Sequence, residues 1–194
     1  MAKVTAPLFS FSASGQLGGA LVYFNWKGLQ VVRTYSVPSN PNTAAQQSQR
    51  TAFAAAVDAW HDVGLDADDV SAWNRYAATF SSPRSGFNAF VKDQVDIDVA
   101  GYTPNMGISG GVIDSSGGQF DCTVTEDGAA TAADCVWGYT PTALNNTQAL
   151  SEVANVWSAT NVPATAGSRV YARFVLKTGG NITGRTGIFT DLLA

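Results

Sequence analysis

The chain has 194 residues, enough for one large domain or two small ones. Hydrophobic residues make up 45% and charged residues only 13%, which excludes wholesale disorder and leaves the surface to Ser, Thr, Asn, Gln, Gly and backbone. The net charge of −4 and the scatter of the eleven basic residues exclude nucleic-acid binding as a main role, because that role asks for a basic face.

Residues 6–12 form a short apolar opening that ends at Ser14-Gly15. Residues 21–26 (LVYFNW) are rich in β-formers, Lys27-Gly28 supplies a turn, and residues 29–35 (LQVVRTY) read as the returning strand of a β-hairpin. In that second strand Val31, Arg33 and Tyr35 share one face and Gln30, Val32 and Thr34 the other. Residues 37–41 (VPSNP) cannot be helical. Pro38 and Pro41 lack amide donors and push the residue before each into extended geometry, so an extended, semi-rigid strap is expected.

Three short helices follow. Thr43 and Gln46 have the spacing of a capping box, and Phe53, Ala56, Val57 and Trp60 recur at helical spacing as one apolar face, with Gly64 as the stop. A second helix is expected from Asp66 or Asp68, with Val70, Trp73, Ala77 and Phe80 facing inward and Ser81-Ser82-Pro83 ending it. A third is expected over residues 85–91, burying Phe87, Phe90 and Val91.

Helical periodicity fades after about Val95. Seven short strand-like runs then span residues 99–103, 107–114, 119–125, 131–139, 152–159, 169–177 and 187–192. That number and spacing predict an immunoglobulin-like β-sandwich. The expected fold is thus α+β, with a hairpin, strap and helical assembly domain over 1–97 and a β-sandwich over 98–194. No tandem repeat is visible. Cys122 and Cys135 would be neighbours if the runs around them pair. A bridge needs facing Cβ atoms, and two buried thiols are the default for a chain made in a reducing compartment.

Chemistry is sparse. His61 is the single histidine and sits near a helix end, where the macrodipole explains it. Asp58, Asp62, Asp66, Asp68 and Asp69 lack the alternating Asp-x-Asp-x-Asp-Gly pattern of a calcium loop, and capping explains them more simply. Asp93, Asp96 and Asp98 read as a polar connector between domains. The Gly-rich stretches 107–111 and 117–118 lack phosphate-loop spacing. Two Cys and one His cannot build the usual zinc site. No catalytic residue, cofactor or metal is expected, and the chain is not read as an enzyme. No apolar run is long enough for a membrane span, and no signal-peptide pattern opens the chain, so synthesis in the cytoplasm without membrane association is expected.

The run from Ser14 to Arg50 carries Ser14-Gly15, Gly18, Val22-Tyr23, Gly28, Val31-Val32-Arg33, Tyr35, Val37-Pro38, Asn40-Pro41, Thr43, Ala45-Gln46-Gln47 and Arg50, and an Ala-rich helix ending in Trp60 follows. This run resembles a segment of tailed-phage and prophage virion structural proteins, as do Trp73 and the later SGFNAF run; the resemblance covers about the first 95 residues. It implies a capsid decoration or cement subunit, located in the virion and made in the host cytoplasm. The expected partners are further copies of itself and the major capsid protein. A tail or neck component (tube, terminator or fibre-associated) with tail proteins as partners is the alternative. Trp26, beside the hairpin turn, with Arg33, Tyr35, Pro38, Pro41 and Arg50, are the candidate contact residues. A reading of another class makes the chain a carbohydrate-binding module, with a platform built from Trp26, Trp60, Trp73, Trp137 and Trp157 and glycan contact through the C-terminal domain.

Overall fold

The computed structural model describes residues 2–5, 12–37, 39–62, 64–116 and 118–193. The expectations for the apolar opening at 6–11, for Pro38 and for Gly117 lie outside the described residues. The protein is a mixed α+β structure with three helices and several antiparallel sheets in a sandwich-like arrangement. Contacts divide it into two compact units, residues 1–42 and 43–194.

The first unit is a four-stranded antiparallel sheet. Its strands are β1 (Ala2–Lys3), β2 (Gly15–Leu17), β3 (Leu21–Trp26) and β4 (Leu29–Thr34), in the order β1-β4-β3-β2. The described residues between β4 and α1 have no regular secondary structure. Asn42, the residue after the predicted strap, takes a left-handed φ of 50° and turns the chain into the first helix.

The second unit opens with α1 (Ala44–Asp62). The Gln46 amide donates to the Thr43 hydroxyl at 3.3 Å, and the Gln46 side-chain oxygen accepts from the Thr43 amide at 3.3 Å, closing the predicted capping box. The buried stripe of α1 is narrower than the periodicity predicts. Ala52 and Ala56 are buried and Val57 and Trp60 half-buried, whereas Phe53 is 55% exposed.

Helix α2 (Ala67–Ala77) is capped by Asp66, whose carboxylate accepts from the Asp68 and Asp69 amides at 2.8 Å each. Helix α3 (Gly86–Val99) starts at the cap Ser85 and runs two turns beyond the predicted end. The predicted domain boundary at 97/98 therefore falls inside α3. The composition change near Val95 marks a change of element within one compact unit, and the division between units lies at 42/43.

Helices α2 and α3 cross closely at Gly86. A β-carbon there would stand 2.7 Å from the Asn74 amide nitrogen. The Asn74 side chain instead accepts from the Gly86 amide at 2.9 Å. Trp60, Trp73, Phe87 and Phe90 form the centre of the helical core through edge-on ring contacts of 5.2–5.7 Å.

Two antiparallel sheets complete this unit. One has the order β5 (Ser109–Ser116), β6 (Gln119–Thr125), β10 (Val156–Pro163), β9 (Ser151–Val153). The other has the order β12 (Asn181–Arg185), β11 (Arg169–Thr178), β7 (Ala132–Gly138), β8 (Asn146–Ala149), with β13 (Phe189–Leu192) also pairing β11. Both contribute to one core, where Phe120, Val124, Trp137, Trp157, Val170, Phe174 and Leu176 are buried. Each such large side chain contributes roughly 1.5–3 kcal/mol by leaving water.

Residues 99–103, predicted as a strand, form the last residue of α3 and the loop that follows it. The predicted 152–159 strand is two strands. They meet at Ala154 and Asn155, whose φ values of 52° and 64° make a two-residue turn without glycine. Strands β8 and β12 were outside the predicted runs; both are short and half polar, so neither alternation nor a long β-rich run marks them.

Helix α2 is tied to the sandwich at the residues just before β13. Ile188 donates its amide to the Ala72 carbonyl of α2 at 2.9 Å, and the Arg75 guanidinium donates to the Ile188 carbonyl. Gly187 makes this approach feasible, since any β-carbon there would collide with the α2 backbone. Neighbouring residues of α2 thus serve different cores: Ala72 closes the sandwich and Trp73 the helical cluster.

Candidate interaction surface

The first unit is organised by its turns. Between β3 and β4, Lys27 and Gly28 have φ values of 49° and 80°, the mirror-image two-residue turn whose twist suits paired strands. The Gly28 amide donates to the Asn25 side-chain oxygen at 3.0 Å. This turn sets the register: Trp26 faces Leu29, Phe24 faces Val31 and Val22 faces Arg33. Opposed residues of an antiparallel pair point to the same side. Val22, Phe24 and Trp26 therefore share one face with Leu29, Val31 and Arg33.

That face is graded. Val31 is buried and is the one buried side chain among the described residues of this unit; Val22 and Phe24 are half-buried. Towards the turn the cover runs out, with Trp26 53% and Leu29 45% exposed. Two cations lie against the rings. The Arg33 guanidinium is 5.5 Å from the Phe24 ring centre and the Lys27 ammonium 5.9 Å from that of Trp26, each contributing about 0.5–1 kcal/mol at such exposure. The result is an apolar, aromatic ridge flanked by positive charge.

Of the predicted contact residues, Trp26 and Arg33 fall together on this face. Tyr35 lies one residue beyond β4, is 38% exposed, and donates its amide to the Ala20 carbonyl at 2.7 Å. Pro41 is exposed in the strap. Pro38 lies outside the described residues. Arg50 belongs to the second unit, on the exposed first half of α1.

The other sequence candidates resolve into structural roles. His61 is exposed in the last turn of α1. Asp66 caps α2, and Asp69, 3% exposed, accepts from the Asp66 amide at 3.3 Å and the Gly110 amide at 3.0 Å. Burial holds the Asp69 carboxyl above the ordinary carboxylate range, against the pull of those amides. No group of three or more His, Cys, Asp or Glu side chains suited to a metal occurs among the described residues. No helix among them is long and apolar enough to cross a membrane.

Asp93 is no linker residue. It is 6% exposed and sits between Arg185, at 2.9 Å, and Arg173, at 3.6 Å, joining α3 to β11 and β12. Arg173 also donates to the Thr186 carbonyl at 2.6 Å and lies 3.9 Å from the Tyr76 ring centre; its burial pulls its pKa down. A second buried acid, Glu126, accepts from the Trp157 indole at 3.0 Å, from the Ala130 amide and from the Asn105 side chain. Sequence reading missed both. The side chains they pair with lie 21 to 92 residues away, so spacing carries no trace of them.

The tryptophans do not line up as a platform. Trp73, Trp137 and Trp157 are buried, Trp60 is half-buried in the helical core, and Trp26 stands exposed in the other unit.

No family model matches the chain, and no curated protein is significantly similar to it. A solved structure described as "Br derivative BhCBM56" aligns over 42% of this chain and 88% of its own length, at 14% identity and a TM-score of 0.34. A likeness of that degree carries no argument for fold or function.

Proposed function

We propose that the protein is a virion structural component of a tailed phage or prophage, a capsid decoration or cement subunit that works through protein–protein contact. The observation that supports this reading is the Trp26–Leu29 end of the first sheet, where large apolar side chains stay exposed on a sheet with a single buried residue among those described. Such a surface suits a neighbour that supplies the missing cover. In this reading the ridge docks on the major capsid protein or on further copies of the chain. Arg33 makes directional contacts to carboxylates or carbonyls at its rim. Repetition over a symmetric shell multiplies a weak contact into firm attachment. The sandwich is read as an immunoglobulin-like module displayed outward, and the protein as a non-enzyme located in the virion.

The test is sedimentation of the purified chain with bare capsids and, separately, with tails. Co-sedimentation with capsids that is lost in the doubly substituted Trp26→Ser, Leu29→Ser chain is the expected result. Binding to tails alone would reassign the protein to a tail or neck component, and binding to neither would end the virion reading.

A further inference from the structure

Cys122 lies on β6 and Cys135 on β7, and these strands do not pair. Cys122 stands opposite Ala159 and Ile113 in one sheet, and Cys135 opposite Phe174 and Gln148 in the other. The period of two turns both inward, with Phe120 and Val124 beside the first and Ala133 and Trp137 beside the second. They are 1% and 0% exposed. Both thiols are free, and they enter the same buried core cluster from opposite sheets.

A buried free cysteine serves as a small apolar filler, but two that enter one core from opposite sheets are also placed to bridge those sheets. We infer that Cys122 and Cys135 are a redox pair: when the chain folds in an oxidising thiol buffer they become an inter-sheet disulfide that ties the two halves of the sandwich together. The oxidant is a small disulfide such as glutathione disulfide. One cysteine thiolate attacks it, forming a mixed disulfide and releasing one glutathione thiolate. The second cysteine thiolate then attacks the protein sulfur of that mixed disulfide, forming the Cys122–Cys135 bond and releasing the second glutathione thiolate. The two cysteine protons end on the two released glutathiones. The cysteines lose two electrons and the glutathione disulfide gains them.

Access fixes when this happens. Neither sulfur is open to glutathione in the closed sandwich, so exchange runs while the sheets are still apart. Once they close reduced, burial at 1% and 0% exposure shuts both sulfurs off from the buffer, and it also pushes the Cys135 thiol above its ordinary range. The pair thus records the redox state in which the chain folded.

The experiment is to unfold the full chain in denaturant with reductant and refold it in two buffers, one with glutathione plus glutathione disulfide, the other with reduced glutathione alone. Each product is alkylated after denaturation and analysed by mass spectrometry, with thermal unfolding in parallel. In the oxidising buffer we expect a product that lacks two hydrogens, takes no alkyl group and yields one peptide pair linked through Cys122 and Cys135. Its Tm rises by about 5–10 °C, as expected for closing a loop of roughly fifteen residues. The Cys122→Ala variant should show the same Tm in both buffers. Full alkylation of both cysteines in an oxidised, natively folded sample would overturn the inference. So would stable glutathione adducts, a cross-linked product without the native near-ultraviolet signal, or an equal Tm gain in Cys122→Ala.

Discussion

The two compact units use their apolar residues in opposite ways. In the second, Phe120, Val124, Val170, Phe174 and Leu176 are at most 1% exposed, and the sandwich core is continuous from sheet to sheet. In the first, β3 and β4 are also rich in apolar and aromatic residues, yet only Val31 is buried among the described residues, and Trp26 and Leu29 are about half exposed. A single sheet has one apolar face and needs a second layer to cover it. The sandwich supplies that layer from within its own unit. The contrast shows that a run rich in apolar and aromatic residues predicts a strand and does not tell whether a partner layer exists.

Substitutions can break this contrast or sharpen it. The largest effect belongs to the sandwich: Phe174→Ala should destabilise the second unit by about 3–5 kcal/mol, read from the midpoint of denaturant unfolding, because a fully buried ring leaves a cavity. A loss under about 1 kcal/mol would mean the core is loose. Next is the seam between helices and sheet. Asp93→Ala strands Arg173 and Arg185 in a buried site and should cost about 3 kcal/mol by the same measurement, while Asp93→Asn, which keeps an acceptor, should cost less.

The double Trp26→Ser, Leu29→Ser change should move chemical unfolding by no more than about 1 kcal/mol, since both side chains already face solvent. A loss as large as that of Phe174→Ala would show that this face is covered within the chain and would abolish the contrast between the units.

The smallest effect is a slope. The Asp69 carboxyl titrates higher in the folded state than in the unfolded chain, whose value is about 3.9. As pH rises past that value the unfolded chain ionises first, so this group contributes a loss of stability between the unfolded and folded pKa values and a constant cost above both. Asp69→Asn should flatten that part of the stability–pH curve, measured by denaturant unfolding from pH 3 to pH 7 in steps of about one unit. An unchanged curve would mean the carboxyl is not held above its usual range.

Local signals were legible where a few neighbouring residues decide the outcome. Thr43 and Gln46 announced the start of α1, Asp66 or Asp68 that of α2, and Lys27-Gly28 the turn between β3 and β4, because caps and tight turns depend on backbone geometry within four residues. Phe53 misled for a related reason: its spacing fits an apolar face, but which part of that face is covered depends on where α3 lies. The candidate site was legible only as a list. Register joined Trp26 to Arg33, while Arg50 fell in the other unit.

The sequence by itself determined the three helix starts, the turn between β3 and β4 and the residue faces of those strands, since each follows from periodicity and short-range chemistry. Only the tertiary structure decided that α3 continues past Val95, that β6 and β7 stand in opposite sheets so that Cys122 and Cys135 enter one core from two sides, and that Asp93 sits between two arginines. Those outcomes depend on which surfaces pack together over separations of up to 92 residues, where close packing and the pairing of buried charge, not local propensity, select the arrangement.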